Sequence, residues 1–436
     1  MNTILLFGAG KSTTFLIDYL GKYCDENKWR LLVCDLNLRL AESKAKNFQS
    51  VHAVSFDIND EGKRGEFISR SEVVISMLPP ALHFLVAKDC VAFSKHLLTA
   101  SYVDEKIRSL KTEIEKKGLL FLSEMGLDPG LDHISAMRMI NDIKKQGGKI
   151  ISFKSYCGGL VSPESDNNPW HYKITWNPAN VVMAGSSGAV YREDGRTIHI
   201  PYPEIFKNEN NVIDVPGLAS LAWYANRDSL PYIETYQLHD ATTFIRATLR
   251  YPSFCRGWQK IIQLDLTNKN DHDEIKDCTT FEDWLTLKKE KLAPKHIKEI
   301  FTPEFIGQIN FLIENSEKIP FSFSNSATLL QYLLEKNLAM RPGDRDMIVM
   351  LHEMKYSINE EHRQVTSSLV IKGTDREHTA MARTVGLPLA IAARLILENK
   401  INLAGLHIPV LPQIYEPVLE ELELNGIKFN EETKEI

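Results

Sequence analysis

Residues 4–7, ILLF, run directly into the turn GAG at residues 8–10 and then into KSTTFLIDYL. In that last segment Phe15, Leu16, Tyr19 and Leu20 fall on one helical face. Strand, glycine turn and helix in this order form the starting unit of an open parallel α/β sheet. Two chemistries use such a turn. A P-loop needs a glycine five residues before Gly10, where the chain has Leu5 inside the strand. The phosphate-wrapping loop is too short, and Lys11 has no cradle to complete. A dinucleotide turn fits better: Gly8 permits the tight bend, and Gly10 lets backbone N–H groups approach a pyrophosphate at the helix N-terminus. Thr13 stands where a third glycine is usual, which widens the helix–strand packing.

The alternation continues. Strand-like runs at 31–34, 51–56, 73–77, 96–100 and 119–122 are separated by helical patterns at 40–48, 82–93 and 104–117. The expected fold class is α/β, with an N-terminal Rossmann domain over 1–127, doubly wound about a parallel sheet. LLVCDL ends in Asp35, 25 residues after Gly10, where a carboxylate accepts hydrogen bonds from an adenosine ribose. An acid there repels a 2′-phosphate and favours NAD over NADP, while the nearby Arg39 blurs that preference. SMLPP, residues 76–80, ends the fourth strand on the edge where open sheets bind ligands.

After EMGLDPGLDH, residues 124–133, the rhythm changes to aromatic, turn-rich, strand-like segments such as 150–157 and 243–251. They predict an α+β substrate and dimerisation domain over 128–379, with a small Lys- and Glu-rich helical insertion at about 275–340 and strands returning at 347–352 and 365–371. The helix at 379–397 and the C-terminal helices (about 380–436) are expected to pack back on the first domain.

Composition removes several functions. The formal net charge of −6 supplies no basic excess for nucleic acid, so anionic ligands must be held by local arginines. No stretch reaches ~20 uninterrupted apolar residues, so no membrane span is expected. The first residues carry no positive leader or small-residue cleavage site, and the six scattered cysteines form no C-x-x-C pair. A cytoplasmic protein with reduced cysteines and no metal is the expectation.

Several polar groups admit either a structural or a chemical reading. TASYVDE puts Ser101 and Tyr102 at a strand's carboxyl end; Asp128 sits in a D-P-G turn, itself ordinary turn chemistry. His133 reads as a structural histidine. SYCGG, 155–159, reads as a strand ending in a glycine pair or as a bulge. Arg227 beside Asp228 could be a surface ion pair. Arg246, Thr248 and Arg250 alternate along one strand face, either as a ligand surface or as the polar side of a half-exposed strand.

The blocks TASYVDE, EMGLDPGLDH, SYCGGLVSPESDNNPWHYKITW, YANRDSLPY, ATLRY and AMARTVGLPLA, in this order, resemble the consecutive signature blocks of the glutamate-forming saccharopine dehydrogenase (saccharopine reductase) family. Departures are modest: Ala225 stands where proline is usual, Ala247 where glycine is, and Val161-Ser162 where Pro-Ala is common. Asp35 departs from the arginine of NADP-using fungal members and looks more like the NAD-using catabolic ones. The resemblance implies oxidation of saccharopine, a secondary amine joining lysine to glutamate, to glutamate and 2-aminoadipate 6-semialdehyde, or the reverse condensation, in lysine metabolism. It implies substrate contacts at Ser101, Tyr102, Asp128, Arg227, Thr248, Leu249 and Arg250; it names no general base, and the chemistry of the amine assigns proton transfer to Asp128 or Tyr102. On the cofactor side it implies Gly8, Gly10, Lys11, Ser12 and Thr13 at the pyrophosphate turn and Asp35 and Leu36 at the ribose. Asp57 and Ile58 would meet the adenine, Leu78 and Thr99 the strand ends, Leu127 and Asp128 the nicotinamide, and Trp176 a position near the cofactor that also reads as a core indole. A homodimer is expected. Two rivals stand beside this reading: another amine-forming dehydrogenase of the same fold (homospermidine or carboxynorspermidine type), and a non-catalytic dinucleotide-sensing protein.

Overall fold

The computed structural model describes residues 1–314, 318–320 and 323–436. The chain forms two compact units, Met1–Lys149 with Glu377–Asn430, and Ile150–Arg376 with Glu431–Ile436.

The strands of the first unit are β1 (Thr3–Phe7), β2 (Arg30–Cys34), β3 (Val51–Val54), β4 (Val73–Ser76), β5 (His96–Thr99) and β6 (Leu120–Leu122). Those of the second are β7 (Lys149–Val161), β8 (Ala189–Glu193), β9 (Arg196–Ile200), β10 (Val212–Ile213), β11 (Leu221–Ala225), β12 (Arg227–Asp228), β13 (Thr243–Arg250), β14 (Asp346–Ile358) and β15 (Glu361–Lys372). The chain then adds β16 (Gly405–His407) to the first unit's sheet and β17 (Asn430–Glu435) to the second's.

The first sheet has the order β16-β6-β5-β4-β1-β2-β3, with parallel pairing throughout. Every residue of β1 is buried, as befits a central strand covered on both faces. The strand order reverses at β1, which lies between β2 and β4, so the carboxyl ends of β1 and β4 form the topological switch point where such sheets bind ligands. The flanking helices are set by local signals. The Asn37 side chain accepts from Leu40 N to cap Leu38–Ala45, and Asp60 accepts from Lys63 N to cap Glu61–Ser69. That second helix is missing from the sequence reading, because it buries only Arg64, Gly65 and Ile68 and has no apolar stripe. The pattern at 104–117 is two helices, Glu105–Ser109 and Lys111–Lys116, meeting at Leu110.

The helix Leu131–Lys145 belongs to the first unit, as does the apolar helix Ala380–Leu397. By length and composition the latter is the one candidate span among the described residues, yet 78% of its window is buried inside the molecule. It lies against the helix Thr14–Asn27. A Cβ on Gly386 would stand 3.0 Å from both Ser12 O and Leu16 N, so only glycine lets the two helices approach this closely without displacement.

The second unit is built on a mixed sheet of order β10-β11-β13-β7-β14-β15-β17, with β8, β9 and β12 attached off this path. Its core holds Trp170, Trp258 and Trp284 and extends into the helices between Pro252 and Asn337. Those helices therefore share the sheet's core; residues 315–317 and 321–322 of the expected insertion lie outside the described residues. Buried Lys288 contacts Asp265 and Asp271 at 2.8 Å each, which ties that helical segment together. The strand expected to stop at a glycine pair runs on to Val161. Gly158 lies inside it, where a Cβ would meet Leu249 O of neighbouring β13 at 2.6 Å. All six cysteines are free.

Candidate active site

At the switch point β1 ends in Gly8, whose φ of +97° lies in the region that favours glycine. Its N–H donates to Cys34 O (2.8 Å), and a Cβ there would stand 2.9 Å from Met77 O, so the turn is wedged between the ends of β2 and β4. Gly10 is different. It is exposed, and a Cβ would meet nothing within 4 Å. The protein itself leaves that space open, directly before the turn Lys11–Thr13 and the helix Thr14–Asn27, which suits an incoming phosphate group. Thr13 is buried and closes the turn, with Oγ1 donating to Gly10 O at 2.9 Å; Lys11 is exposed and Ser12 half-buried.

Asp35 sits at the end of β2 and serves the turn. One carboxylate oxygen accepts the Ala9 N–H at 2.8 Å and the other the Asn37 N–H at 2.9 Å. Leu36 beside it is 75% exposed. Beyond β3, Asp57 Oδ1 accepts from the Asn59 backbone and side chain, both at 2.9 Å. Buried Arg64 fixes the same loop by donating to Ile58 O and pairing with Asp89 at 2.7 Å. Leu78 is half-buried after β4, and Thr99 is buried at the end of β5.

The loops after β5 and β6 are locked to each other. Glu124 N donates to Ser101 O and Met125 N to Thr99 O, both at 3.1 Å. Buried Glu124 accepts from Val103 N at 3.2 Å and lies 2.9 Å from His133 Nε2. Ser101 N donates to Thr99 Oγ1, and Ser101 Oγ lies 2.8 Å from His83 Nε2. Tyr102 is half-buried beside it. In the D-P-G turn, Asp132 accepts the Gly130 N–H at 2.6 Å, and a Cβ on Gly130 would collide with Gly126 O at 2.2 Å. Within 119–137 Asp128 alone is not buried; Leu127 before it is. A rigid turn thus presents one carboxylate.

In the second unit β13 has two buried faces. Ile245, Ala247 and Leu249 enter the core, while Arg246 and Arg250 on the other face are only 3% and 4% exposed. A half-exposed polar strand face is excluded. Arg246 stacks over Tyr232 at 4.3 Å, and Arg250 lies against Tyr172 and Phe254 at 5.4 and 5.6 Å. Thr248 lies opposite Tyr224 of β11, and burial pushes that phenol's pKa up. Arg250 donates Nη1–H to Leu249 O at 2.8 Å, its Nε is buried without a hydrogen-bond partner, and no carboxylate among the described residues pairs with it. Arg227, by contrast, is exposed, at φ +56° in β12. Its neighbour Asp228 accepts from Leu230 N at 2.9 Å. Trp176 is half-buried and gives its indole N–H to the Tyr172 hydroxyl oxygen Oη at 3.0 Å, packed on the unit's core.

Thr248 and Arg250 are thus brought to one strand face, and Ser101, Thr99 and Asp128 to mutually bonded loops at the carboxyl edge of the first sheet. Sequence reasoning missed Glu124 and His83. The available signals were an acid two residues before Gly126 and a histidine seven residues beyond the strand-end Ser76.

A parallel sheet whose switch point carries a left-handed glycine turn, an open cradle at its second glycine and an acid closing the second strand defines a dinucleotide-binding α/β protein. Residues 4–122 match the saccharopine dehydrogenase NADP binding domain, and residues 126–427 the saccharopine dehydrogenase C-terminal domain. The chain belongs to the saccharopine dehydrogenase family. It is similar to apo histidine-tagged saccharopine dehydrogenase (L-Glu forming) from Saccharomyces cerevisiae, with a TM-score of 0.86 and 29% identity over 100% of both chains. The NADP(+), L-glutamate-forming saccharopine dehydrogenase of Schizosaccharomyces pombe is 30% identical over 99% of each chain. An alpha-aminoadipic semialdehyde synthase of Arabidopsis thaliana is 33% identical over 99% of this chain, which spans 45% of that relative's length.

Proposed function

We propose that this chain oxidises saccharopine to L-glutamate and 2-aminoadipate 6-semialdehyde with NADP, or runs the reverse reductive condensation. Arg250 carries the reading. The residue is 4% exposed and its Nε is buried without a hydrogen-bond partner, with no carboxylate among the described residues to pair with it. An uncompensated buried charge costs several kcal/mol, so a site of this kind is built for an anion that arrives with the ligand. Saccharopine brings three carboxylates.

The open cradle at Gly10, with Gly8, Lys11, Ser12 and Thr13, suits a pyrophosphate, with Asp35 and Leu36 beside the ribose and Asp57 and Ile58 beside the adenine. Leu78, Thr99, Leu127 and Trp176 complete the proposed cofactor contacts. Bound there, the dinucleotide supplies the two-electron acceptor for the C–H bond next to the bridging nitrogen. The chain's own residues do the rest. Arg250, Thr248 and Arg227 are assigned to hold carboxylates, with Leu249 contributing only through its backbone; Ser101 and Tyr102 are assigned to the other end of the substrate. Asp128, the carboxylate left accessible by its locked turn, takes the proton from the secondary amine and aids water attack on the imine, with Tyr102 as the second candidate.

The choice of dinucleotide turns on Asp35. Both its oxygens already accept backbone N–H groups, from Ala9 and Asn37, which supports a role in shaping the turn over a role in excluding a 2′-phosphate. On this reading Asp35→Ala weakens NAD and NADP together in a fluorescence titration. A selective gain for NADP would instead restore the acid as a discriminator and NAD as the cofactor. The activity itself is read from the near-ultraviolet absorbance of reduced nicotinamide with saccharopine and each dinucleotide; no signal with either sinks it.

A further inference from the structure

Ser101 is the end of a chain of polar side chains. His83 Nε2 lies 2.8 Å from Ser101 Oγ, and His83 Nδ1 lies 2.8 Å from Ser76 Oγ. Ser76 closes β4, His83 opens the helix His83–Ala92, and Ser101 follows β5, so the chain bridges two adjacent strand ends. It starts in the interior, where Ser76 is 1% and His83 5% exposed, and surfaces at half-buried Ser101.

A chain built on an imidazole has a direction. A neutral ring offers one N–H and one lone pair, so one neighbour must donate and the other accept. Burial pushes the His83 pKa down to about 4, with the nearby Asp104 carboxylate opposing the shift only in part. A place in the first turn of a helix, at its positive end, disfavours the imidazolium further. The ring is therefore neutral over the pH range in which an enzyme of this kind works.

We propose that His83 is a positioning residue that aims the Ser101 hydroxyl at a carboxylate of the substrate, an inference resting on the reading of Ser101 as a substrate contact. Ser76 donates its hydroxyl proton to Nδ1. Nε2–H donates to Ser101 Oγ, occupying an oxygen lone pair and leaving the Ser101 hydroxyl proton for an outside acceptor. The Ser101 backbone is held by its N–H on Thr99 Oγ1 at 3.2 Å, and the 2.8 Å contact with His83 Nε2 holds its Oγ, which leaves the hydroxyl proton to rotate about the C–O bond. The opposite tautomer would spend that proton on the ring and leave Ser101 an acceptor, suited to an ammonium.

The test compares the wild type with His83→Leu, His83→Gln and Ser76→Ala in steady-state kinetics with saccharopine and NADP, and reads the His83 tautomer by nitrogen NMR of the imidazole. His83→Leu should raise KM for saccharopine about tenfold, with kcat and KM for NADP little changed. His83→Gln, whose amide carries one donor and one acceptor, should recover most of that loss, and NMR should find the proton on Nε2. An unchanged saccharopine KM in His83→Leu, a proton on Nδ1, or losses that merely track a lowered melting temperature would overturn the proposal. Should His83→Leu fail to fold, Ser76→Ala and the wild-type tautomer decide the question. A wild type inactive with both dinucleotides would sink the proposed activity. His83 would then be judged by the tautomer and by calorimetric binding of saccharopine to wild type and His83→Gln.

Discussion

Arg250 and His83 carry opposite electrostatic lessons about single residues. Arg250 is a buried charge kept without a counter-charge of its own among the described residues. Replacing it with an apolar side chain of similar length should relieve the folded state. Arg250→Met is expected to gain about 1 kcal/mol or more of stability, seen as a higher melting temperature, while kcat/KM for saccharopine falls about 100-fold or more. A variant both less stable and fully active would remove the ligand role. His83 is instead held neutral by burial. The unfolded chain takes up this proton near pH 6.5 and the folded protein only near 4, so between those values the unfolded state binds more protons. Stability should therefore fall as pH drops through that window, by about 3 kcal/mol for this group, and be independent of it above. His96, shifted the same way by burial, adds to the slope. Urea denaturation across this range should show a shallower loss for His83→Gln. The sequence made Asp35, Asp128 and the alternating arginines visible, because spacing and turn chemistry point at them. It could not show that Asp35 braces the turn or that His83 reaches Ser101, since both depend on which strand ends are neighbours.

At the scale of elements, the parallel strands were legible because each is a short apolar run bounded by turn residues. The helix Glu61–Ser69 was not, since a helix that buries so little carries no periodic signal. Glycines misled in one place: Gly158 looks like a strand end, yet it marks a close approach of β13 inside β7. Gly386 is a case of the same kind between helices. Valine there would drive its side chain into the backbone at Ser12 and Leu16, and backbone cannot rotate aside. Gly386→Val should cost roughly 1–3 kcal/mol by thermal denaturation, and dinucleotide affinity should weaken with it because Ser12 belongs to the turn. An unchanged melting temperature would mean that the two helices part without cost.

At the scale of the molecule, neither unit is continuous in sequence. The first needs residues 377–430 to supply β16 and the helix behind the glycine turn, and β17 returns to the second. The segment 379–397 carries an apolar pattern in the sequence; the exchange of the last strand carries none, since β17 is polar and exposed throughout. A chain cut after Arg376 should fail to bind NADP in a fluorescence titration and should expose apolar surface to a hydrophobic dye; tight binding by that fragment would contradict this account.

Synthesis delivers the glycine turn long before the helix that seats against it. During synthesis the nucleotide turn waits, incompletely covered, while β2 to β6 of its own sheet and the whole segment Ile150–Arg376 of the second unit emerge. Quality control and cofactor capture are thereby coupled to completion: a stalled or prematurely ended product lacks the helix that closes the turn and should be recognised by chaperones and proteases before it can sequester NADP.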